Sequence, residues 1–220
     1  MTAPSPPARG IYAVVPVKQL NRSKSRLAGH LDDGARRAAS MDMLRQVLGQ
    51  LRQVPAVSAW AVLSSDQDAV SLARSLGGWA IADRGGGLNQ ALGAARDWAI
   101  GGNAAGLLVL PSDVPLVTSS DVEDMLRLGS ESAASVVLAP SKDGGTNALL
   151  LRPPHVMPFR FGHGSAAIHR AEASRRHLVL AIYRSATLAF DVDTPEDFSC
   201  YLAVEEGLAQ LDEAQALAIR

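Results

Sequence analysis

The stretch Ile11-Tyr-Ala-Val-Val-Pro-Val17 decides the fold, and the loop after it, Lys18-Gln-Leu-Asn-Arg-Ser-Lys-Ser-Arg26, indicates where a ligand binds. The first seven residues are apolar and largely β-branched, which predicts a buried strand. The next nine residues carry four cations and no acid. Ligands of open α/β sheets bind outside the carboxyl ends of the strands. The position and charge of this loop therefore predict a phosphate-binding site, with a solvated run of surface charge as the alternative.

The distribution of lysine supports the phosphate interpretation. The chain contains 21 lysine and arginine residues, yet its three lysines are Lys18, Lys24 and Lys142. Two of them lie in the basic loop, and Lys142 lies in a second, glycine-rich loop. An ammonium group is a compact point charge that can follow a moving phosphate, whereas a guanidinium is a rigid fork.

The composition is typical of an ordinary globular domain. Of the 220 residues, 47% are hydrophobic and 20% are charged, and the net charge is −1. This balance argues against a nucleic-acid or anionic-membrane surface, which needs many more cations. The single cysteine, Cys200, suits a reducing compartment, and no apolar run reaches membrane-spanning length. We therefore expect a cytoplasmic protein without nucleic-acid or membrane partners, with residues 1–10 as a loose leader and 11–220 as one domain.

Strand and helix patterns alternate along most of the chain, which predicts an α/β fold with a mostly parallel sheet. The predicted strands are 11–17, 58–64, 79–82, 106–110, 135–139, one ending at 152, 177–182 and 187–190. The predicted helices are 32–53, 66–76, one ending near 100, 120–128, 166–174 and a final segment opened by 191–197. Ser120 and Glu123 are predicted to form a capping box. The gap before the strand ending at 152 is too short for a helix, so at least one strand should be antiparallel.

Three acidic residues follow predicted strands, namely Asp113, Asp191 and Asp193. Side chains at positions i and i+2 of an extended chain point the same way, so Asp191 and Asp193 can converge. Asp113 joins them if both strands end at the same edge of the sheet. Three carboxylates completed by water and phosphate oxygens are typical of a Mg²⁺ site. The alternative for Asp193 is local, because Thr194 and Pro195 are also typical of a helix start.

Three glycine-rich segments, 85–89, 143–146 and 161–165, could bind anions. The first precedes a helix, so its amides can meet a base, ribose or phosphate. The other two each pair glycines with a hydroxyl, and segment 161–165 runs into a predicted helix N-terminus, which favours anions. Each segment can also be a plain turn. Together the last two predict a second phosphate pocket.

Several common catalytic motifs are absent from the sequence. No G-x-x-x-x-G-K-[ST] motif occurs, and no G-x-G-x-x-G follows the first strand, which argues against P-loop and dinucleotide-binding enzymes. His163 is interpreted as a loop residue. The remaining histidines show no metal-ligand spacing and receive no role: His30, His155, His169 and His177.

Six motifs occur in order over nearly the whole chain. They are Val14-Val-Pro-Val-Lys18 with Lys24-Ser-Arg26-Leu27, Gly86-Gly-Leu-Asn89, Pro111-Ser-Asp-Val-Pro115, Gly145-Thr-Asn147, Arg160-Phe-Gly-His-Gly-Ser165 and Asp191-Val-Asp-Thr-Pro195. With these motifs the chain resembles the guanylyltransferases of coenzyme F-420 biosynthesis, which act on 2-phospho-L-lactate or phosphoenolpyruvate. The resemblance implies a single-domain nucleotidyltransferase fold, a three-layer sandwich like that of the GT-A glycosyltransferases.

The resemblance also implies a reaction and its site residues. GMP from GTP joins the phosphate of a three-carbon acid, with Mg²⁺ present and pyrophosphate released; phosphoenolpyruvate is the first choice, and 2-phospho-L-lactate and 3-phosphoglycerate stay open. The residues matching the family's metal-binding acids are Asp113, Asp191 and Asp193. Those in the loop expected to hold the GTP phosphates are Lys18, Lys24 and Arg26, and Asn89 lies where the nucleoside is expected. Those matching the positions that hold phosphoenolpyruvate are Thr146, Gly162 and Ser165. Lys18, Lys24, Arg26 and Asp113 are the catalytic candidates.

Two positions depart from the family's pattern. His163 stands where proline is expected in many relatives, and Ser112 stands where alanine or glycine is common. Because His163 lies inside the predicted acid-binding loop, the departure concerns which acid is used rather than the type of reaction.

Other functions stay open at this point. One is a different NTP-dependent nucleotidyltransferase, such as a molybdopterin cytidylyltransferase, although the G-G-x-S-x-R loop usual in those enzymes is absent. Another is a non-catalytic nucleotide-binding domain. Whether the protein is a homodimer, and whether it hands its product to a downstream transferase, are also open.

Overall fold

A twisted sheet with helices on both faces places the ends of several strands at one edge. The computed structural model describes residues 10–18 and 31–218, with side chains described up to residue 207. The described strands are β1 (Ile11–Pro16), β2 (Val57–Ser64), β3 (Trp79–Ala82), β4 (Gly106–Val109), β5 (Ser135–Pro140), β6 (Thr146–Arg152) and β7 (Val179–Ile182). The described helices are α1 (Asp33–Arg52), α2 (Gln67–Ser75), α3 (Leu88–Gly101), α4 (Ser119–Gly129), α5 (Ser165–Arg175), α6 (Ala186–Ala189) and α7 (Pro195–Ala218). Residues 1–9 of the predicted leader and residues 19–26 of the basic loop, with Lys24 and Arg26, lie outside the described residues.

The described strands form one sheet in the order β3-β2-β1-β4-β6-β5-β7. β1 pairs in parallel with β2 and β4, and β5 pairs in parallel with β7. β6 runs antiparallel to both of its neighbours, β4 and β5. The prediction of a mostly parallel sheet with at least one reversed strand is therefore confirmed.

Successive side chains of β1 point to opposite faces of the sheet, and the core accordingly has two layers. Ile11, Ala13 and Val15 pack on the face covered by α1, α2 and α4. Tyr12 and Val14 pack on the opposite face, which α3 and α5 cover. Burial of apolar side chains on both faces makes the central strand fully apolar and confirms the three-layer α/β sandwich.

The predicted strand at 187–190 is wrong, because residues 186–189 form the short helix α6. The hydroxyl of Ser185 accepts a hydrogen bond from the Leu188 amide (3.3 Å) and caps this helix. Two carbonyls of α6 accept hydrogen bonds from residues of another segment rather than from a neighbouring strand. Asn147 Nδ2 donates to the Leu188 carbonyl (2.9 Å), and the Lys142 amide donates to the Ala189 carbonyl (3.3 Å). These tertiary hydrogen bonds outweigh the strand preference of the local sequence.

The capping box of α4 lies two residues earlier than predicted. Thr118 is the N-cap, and its hydroxyl accepts from the Asp121 amide (3.1 Å) while Asp121 accepts from the Thr118 amide (2.9 Å). The predicted pair, Ser120 and Glu123, lies inside the helix. Other helix starts lie where they are predicted: Asp32, the first residue of the predicted helix 32–53, caps α1, and the Thr194 hydroxyl accepts from the Asp197 amide (3.2 Å) at the start of α7.

None of the described helices combines the length and the apolar character needed to cross a membrane.

Thr118→Ala should lower the free energy of unfolding by about 1 kcal/mol, because the first turn of α4 loses its capping acceptor. Chemical denaturation at neutral pH measures the change. Ser120→Ala is the matched control, since Ser120 is exposed and makes no part of the observed box. A larger loss for Ser120→Ala than for Thr118→Ala would contradict the assigned cap.

Candidate active site

A cavity of about 620 Å³ opens at the carboxyl edge of the parallel strands. Its walls come from the ends of β1, β2 and β4, the starts of β6, α3 and α5, and segment 191–193. Of the eight predicted site residues that the structure describes, seven line it: Lys18, Asp113, Thr146, Gly162, Ser165, Asp191 and Asp193. The fold thus brings together residues that are far apart in the sequence, at the edge where open α/β sheets bind ligands.

The reversal of β6 explains why hydroxyl and acidic residues share this cavity. Because β6 is antiparallel to β4, with Leu149 opposite Val109, the start of β6 lies beside the end of β4. Thr146 and Asn147 therefore stand next to the loop that carries Asp113. A parallel strand would have placed them at the opposite edge of the sheet.

One backbone hydrogen bond joins the two acidic segments. The Val192 amide donates to the Asp113 carbonyl (2.9 Å), and the Val192 side chain is fully buried against Met43 and Tyr201. Since Val192 points inward, its neighbours Asp191 and Asp193 face the cavity together. The predicted convergence of Asp191 and Asp193 therefore occurs, although a short helix rather than a strand precedes them.

Burial and neighbouring charges both act on the Asp191 carboxyl group. Burial raises its pKa, and the nearby carboxylates of Asp113 and Asp193 raise it further. A hydrogen bond from Asn147 Nδ2 to Asp191 Oδ1 (3.3 Å) opposes the shift. The same Asn147 amide donates to the Leu188 carbonyl, so Asn147 holds Asp191 and the end of α6 together.

Asp113, Asp191 and Asp193 form an acidic wall of the cavity that could hold a metal ion. Among the residues that the structure describes, no three His, Cys, Asp or Glu side chains form a ready-made metal cluster. Mg²⁺ is usually held by one or two carboxylates together with substrate phosphates, rather than by a complete protein cage. Carboxylates that converge on one cavity fit such a shared site, because a cation would offset the repulsion that helps to raise the pKa of Asp191. Metal binding by Asp113, Asp191 and Asp193 stays a prediction.

Cations flank the acidic wall. Lys18 is exposed and lines the cavity, whereas Lys24 and Arg26 lie outside the described residues. Lys142, to which the sequence assigned no role, forms an ion pair with Asp197 and lies 5.6 Å from the Phe190 ring centroid. The pKa of Lys142 is raised, mainly by Asp197 and to a smaller extent by Asp191 and Asp193. Lys142 therefore balances part of the charge beside the cavity.

The hydroxyl wall consists of Thr146 and Ser165, backed by His169. The Ser165 hydroxyl donates to Thr146 Oγ1 (2.9 Å), and His169 Nδ1 lies 3.1 Å from the same oxygen. The amide of Arg160 donates to His169 Nε2 (3.0 Å). His169 is fully buried, and burial lowers its pKa to about 4, with a further contribution from the Arg160 charge.

The first amides of α5 are already occupied, which differs from the expectation of an open anion site there. The amides of Ser165, Ala166 and Ala167 donate to the carbonyls of Gly162, Gly144 and Gly164, at 3.1 to 3.2 Å. The hydroxyl groups of this wall, more than these amides, are therefore the donors available to a ligand.

Asn89 does not line the cavity but fastens the loop that does. Its Nδ2 donates to the Phe161 carbonyl (2.9 Å), and its Oδ1 accepts from the Phe161 amide (2.8 Å). Phe161 in turn packs edge-on against His169, with ring centroids 5.1 Å apart. The predicted nucleoside contact of Asn89 stays a prediction, and the structure adds a role in holding the loop.

Sequence reasoning assigned no function to Asn147 or His169, which support this site. His169 follows Ser165 by four residues on one helix, a spacing that places both on the same face. That spacing is the feature of the sequence that could have placed His169 beside Ser165. Asn147 lies inside one of the recognised motifs, but its contacts with Leu188 and Asp191 depend on how distant segments fold together.

The sequence of this chain is similar to those of known proteins over most of its length. The sequence model of the family described as "Guanylyl transferase CofC like" matches residues 11–209. The phosphoenolpyruvate guanylyltransferase of Rubrobacter xylanophilus is 40% identical, over 86% of this chain and 92% of the relative. The 2-phospho-L-lactate guanylyltransferase of Methanothermobacter thermautotrophicus is 37% identical, over 89% of this chain and 85% of the relative.

Solved structures agree on the fold. A protein from Desulfovibrio desulfuricans described as a nucleotide-diphospho-sugar transferase superimposes with a TM-score of 0.67, over 84% of this chain and 82% of that one. At 17% sequence identity, this likeness concerns the fold alone. The three-layer sandwich is therefore the fold that the two proteins share.

Acidification should unfold the protein partly through His169. The folded pKa of His169, about 4, lies below its unfolded value of 6.5, so the unfolded chain binds the extra proton. The contribution of neutral His169 to the free energy of unfolding is complete above pH 6.5 and is lost as the pH falls towards 4. The total loss is roughly 3 kcal/mol. In His169→Gln the free energy of unfolding should therefore decline less steeply across this window.

Denaturation midpoints measured from pH 7 to pH 4 check this expectation. His155→Gln, which replaces an exposed histidine, is the matched control and should keep the wild-type slope. Equal slopes for wild type and His169→Gln would show that His169 does not couple folding to protonation.

Proposed function

The chain belongs to the family of CofC-like guanylyl transferases, and we propose that it transfers GMP from GTP to the phosphate of a three-carbon phospho-acid. Phosphoenolpyruvate is the proposed acceptor, and coenzyme F-420 biosynthesis is the proposed pathway. The observation that supports this proposal most directly is the cavity, in which an acidic wall and a hydroxyl wall face a common space.

The chemistry requires little from a general base. An oxygen of the acceptor phosphate forms a bond to the α-phosphorus of GTP, and the bond from that phosphorus to the bridging oxygen of pyrophosphate breaks. A phosphate monoester has a second pKa near 6, so its attacking oxygen is already deprotonated at neutral pH. The main barrier is the repulsion between two anions, so charge neutralisation and positioning should supply most of the catalysis.

The described residues divide these tasks between two walls. Asp113, Asp191 and Asp193 would hold Mg²⁺ jointly with phosphate oxygens, and the bound ion would offset negative charge on the triphosphate and the leaving group. Lys18, just after the end of β1, adds a cation to the lining of the cavity. Lys24 and Arg26 are proposed to extend this positive group.

The opposite wall would hold the acceptor in line with the α-phosphorus. Thr146 and Ser165 present hydroxyl groups, and Gly162 lines the cavity with a φ of 141°, a conformation that suits glycine. Asn89 fixes the adjacent Phe161, which keeps this loop against α3. The acceptor would thus meet a wall whose position is set before binding.

The position of His163 is compatible with phosphoenolpyruvate as the acceptor. Relatives named for phosphoenolpyruvate and for 2-phospho-L-lactate match at similar identity, so the family alone leaves both acids open. His163, the departure inside the acceptor loop, is exposed and is not among the described residues that line the cavity. Its side chain therefore has little reason to alter the acceptor pocket.

A substrate screen tests the proposal. The protein is incubated with Mg²⁺, each of the four NTPs and one acid at a time, and pyrophosphate release and product mass are measured. GTP with phosphoenolpyruvate should give the fastest turnover and a product of GMP joined to the acid. Turnover with CTP alone would support a cytidylyltransferase, and no turnover by a folded protein would support a non-catalytic domain; either result would refute the proposal.

Asp113→Asn should reduce turnover by about a hundredfold or more, because one carboxylate of the proposed metal-binding wall loses its charge. The variant should stay folded, since Asp113 lies at the cavity and the backbone contact with Val192 does not use its side chain. Asp97→Asn, at an exposed position on α3, is the matched control. Steady-state kinetics measures the turnover of the two variants, and circular dichroism checks that both are folded. Similar turnover rates for both variants would show that Asp113 has no part in the mechanism.

Asn89→Ala should raise the KM for the acid, because Phe161 loses both of its hydrogen bonds to the Asn89 side chain. The KM for GTP should rise as well if Asn89 contacts the nucleoside. Gln90→Ala, at the exposed neighbouring position, is the control. An unchanged KM for GTP would remove the nucleoside role, and an unchanged KM for the acid would remove the loop-fastening role.

A further inference from the structure

His169 is a fully buried polar side chain to which the proposed reaction assigns no part. It lies on α5 behind the hydroxyl wall, and both of its ring nitrogens have partners. Its position next to Thr146 raises the question of what it contributes to the acceptor site. The inference below rests on the proposed function, because it concerns how that site recognises the acid.

The partner of one ring nitrogen determines the hydrogen on the other. A backbone amide can only donate, so Nε2, which accepts from the Arg160 amide at 3.0 Å, carries no hydrogen. Burial keeps the ring neutral, so the single ring hydrogen resides on Nδ1. Nδ1 lies 3.1 Å from Thr146 Oγ1 and therefore donates to it.

This donation leaves the hydroxyl pair with one unused hydrogen. Thr146 Oγ1 accepts from His169 Nδ1 and from the Ser165 hydroxyl, so both of its acceptor positions are filled and its own O–H is left to donate. If the bond between the two hydroxyls ran the other way, the Ser165 O–H would be left instead. In both cases the pair presents one donor, and both residues line the cavity.

We propose that His169 is a positioning residue that makes the Thr146–Ser165 pair a hydrogen-bond donor towards an anionic oxygen of the acceptor. The opposite ring tautomer would accept from Thr146 and use up the remaining hydroxyl hydrogen. The cavity would then present a bare hydroxyl oxygen to an anion, which is unfavourable because both hydroxyl-bearing residues are buried. His169 thus selects for an anionic acceptor without touching it.

The tautomer can be observed directly in the wild-type protein. Imidazole ¹⁵N NMR at neutral pH, with the His169 ring signals assigned by correlation to its backbone resonances in the wild-type protein, reports which nitrogen carries the hydrogen. The inference expects a protonated Nδ1 and a bare Nε2. A hydrogen on Nε2 would overturn it, and this test holds even if the substituted proteins fold poorly.

Two substitutions separate the donor function of His169 from its structural function. The amide nitrogen of asparagine can take the place of Nδ1 and keep the donation to Thr146. The side-chain oxygen of glutamine can take the place of Nε2 and keep the bond from the Arg160 amide, while the donation to Thr146 is lost. A merely structural histidine would make the two variants equally impaired in kcat and in both KM values.

His169→Gln should raise the KM for phosphoenolpyruvate about tenfold, as expected for one hydrogen bond to a charged group, and leave kcat and the KM for GTP within about twofold. His169→Asn should retain a KM near the wild-type value. Inhibition by inorganic phosphate and by pyruvate shows which anionic group meets the donor, because only the relevant inhibitor should weaken in His169→Gln.

The outcomes distinguish this inference from the proposed function. An active wild type with equal effects of the two substitutions, or with an unchanged KM in His169→Gln, contradicts the inference and leaves the guanylyltransferase proposal standing. A folded wild type that turns over none of phosphoenolpyruvate, 2-phospho-L-lactate and 3-phosphoglycerate contradicts both the inference and the proposed function.

Discussion

The hydrogen bond from the Val192 amide to the Asp113 carbonyl, 2.9 Å long, is the contact on which the arrangement of the site depends. It joins the loop after β4 to the segment before α7, and the buried side chain of Val192 fixes the orientation of the residues on either side. The result is a concentration of negative charge that the protein alone does not favour. Burial and like charges raise the pKa of Asp191, so its charged form is disfavoured in the protein alone. A bound cation would stabilise that charged form.

The opposite side of the cavity is held by a chain of contacts that begins on α3. Asn89 binds both backbone groups of Phe161, the ring of Phe161 packs against His169, and His169 contacts Thr146. Because each step joins a different element, the acceptor wall is positioned by the fold before any ligand arrives. Such positioning is the contribution expected from an enzyme whose nucleophile needs no activation.

Much of this architecture could be predicted from the sequence, because it follows from local patterns. Alternating strand and helix segments gave the mostly parallel sheet, and the spacing of Asp191 and Asp193 gave their convergence even though the preceding strand was wrong. α6 could not be predicted, since its carbonyls accept hydrogen bonds from Asn147 of β6 and from Lys142 of the loop before β6. The part played by His169 also depends on partners from β6 and from the loop before α5, which no local pattern reveals.

The central claim is that the acidic wall and the hydroxyl wall act on the same nucleotide-dependent transfer, with a divalent cation between the carboxylates and the triphosphate. The most direct test is a crystal structure with GTP and Mn²⁺ in place of Mg²⁺, in which anomalous scattering locates the metal. The account predicts a metal peak bound by Asp113 and at least one of Asp191 and Asp193, in contact with phosphate oxygens. GTP bound in the cavity with the metal elsewhere, or with no metal at these carboxylates, would contradict it.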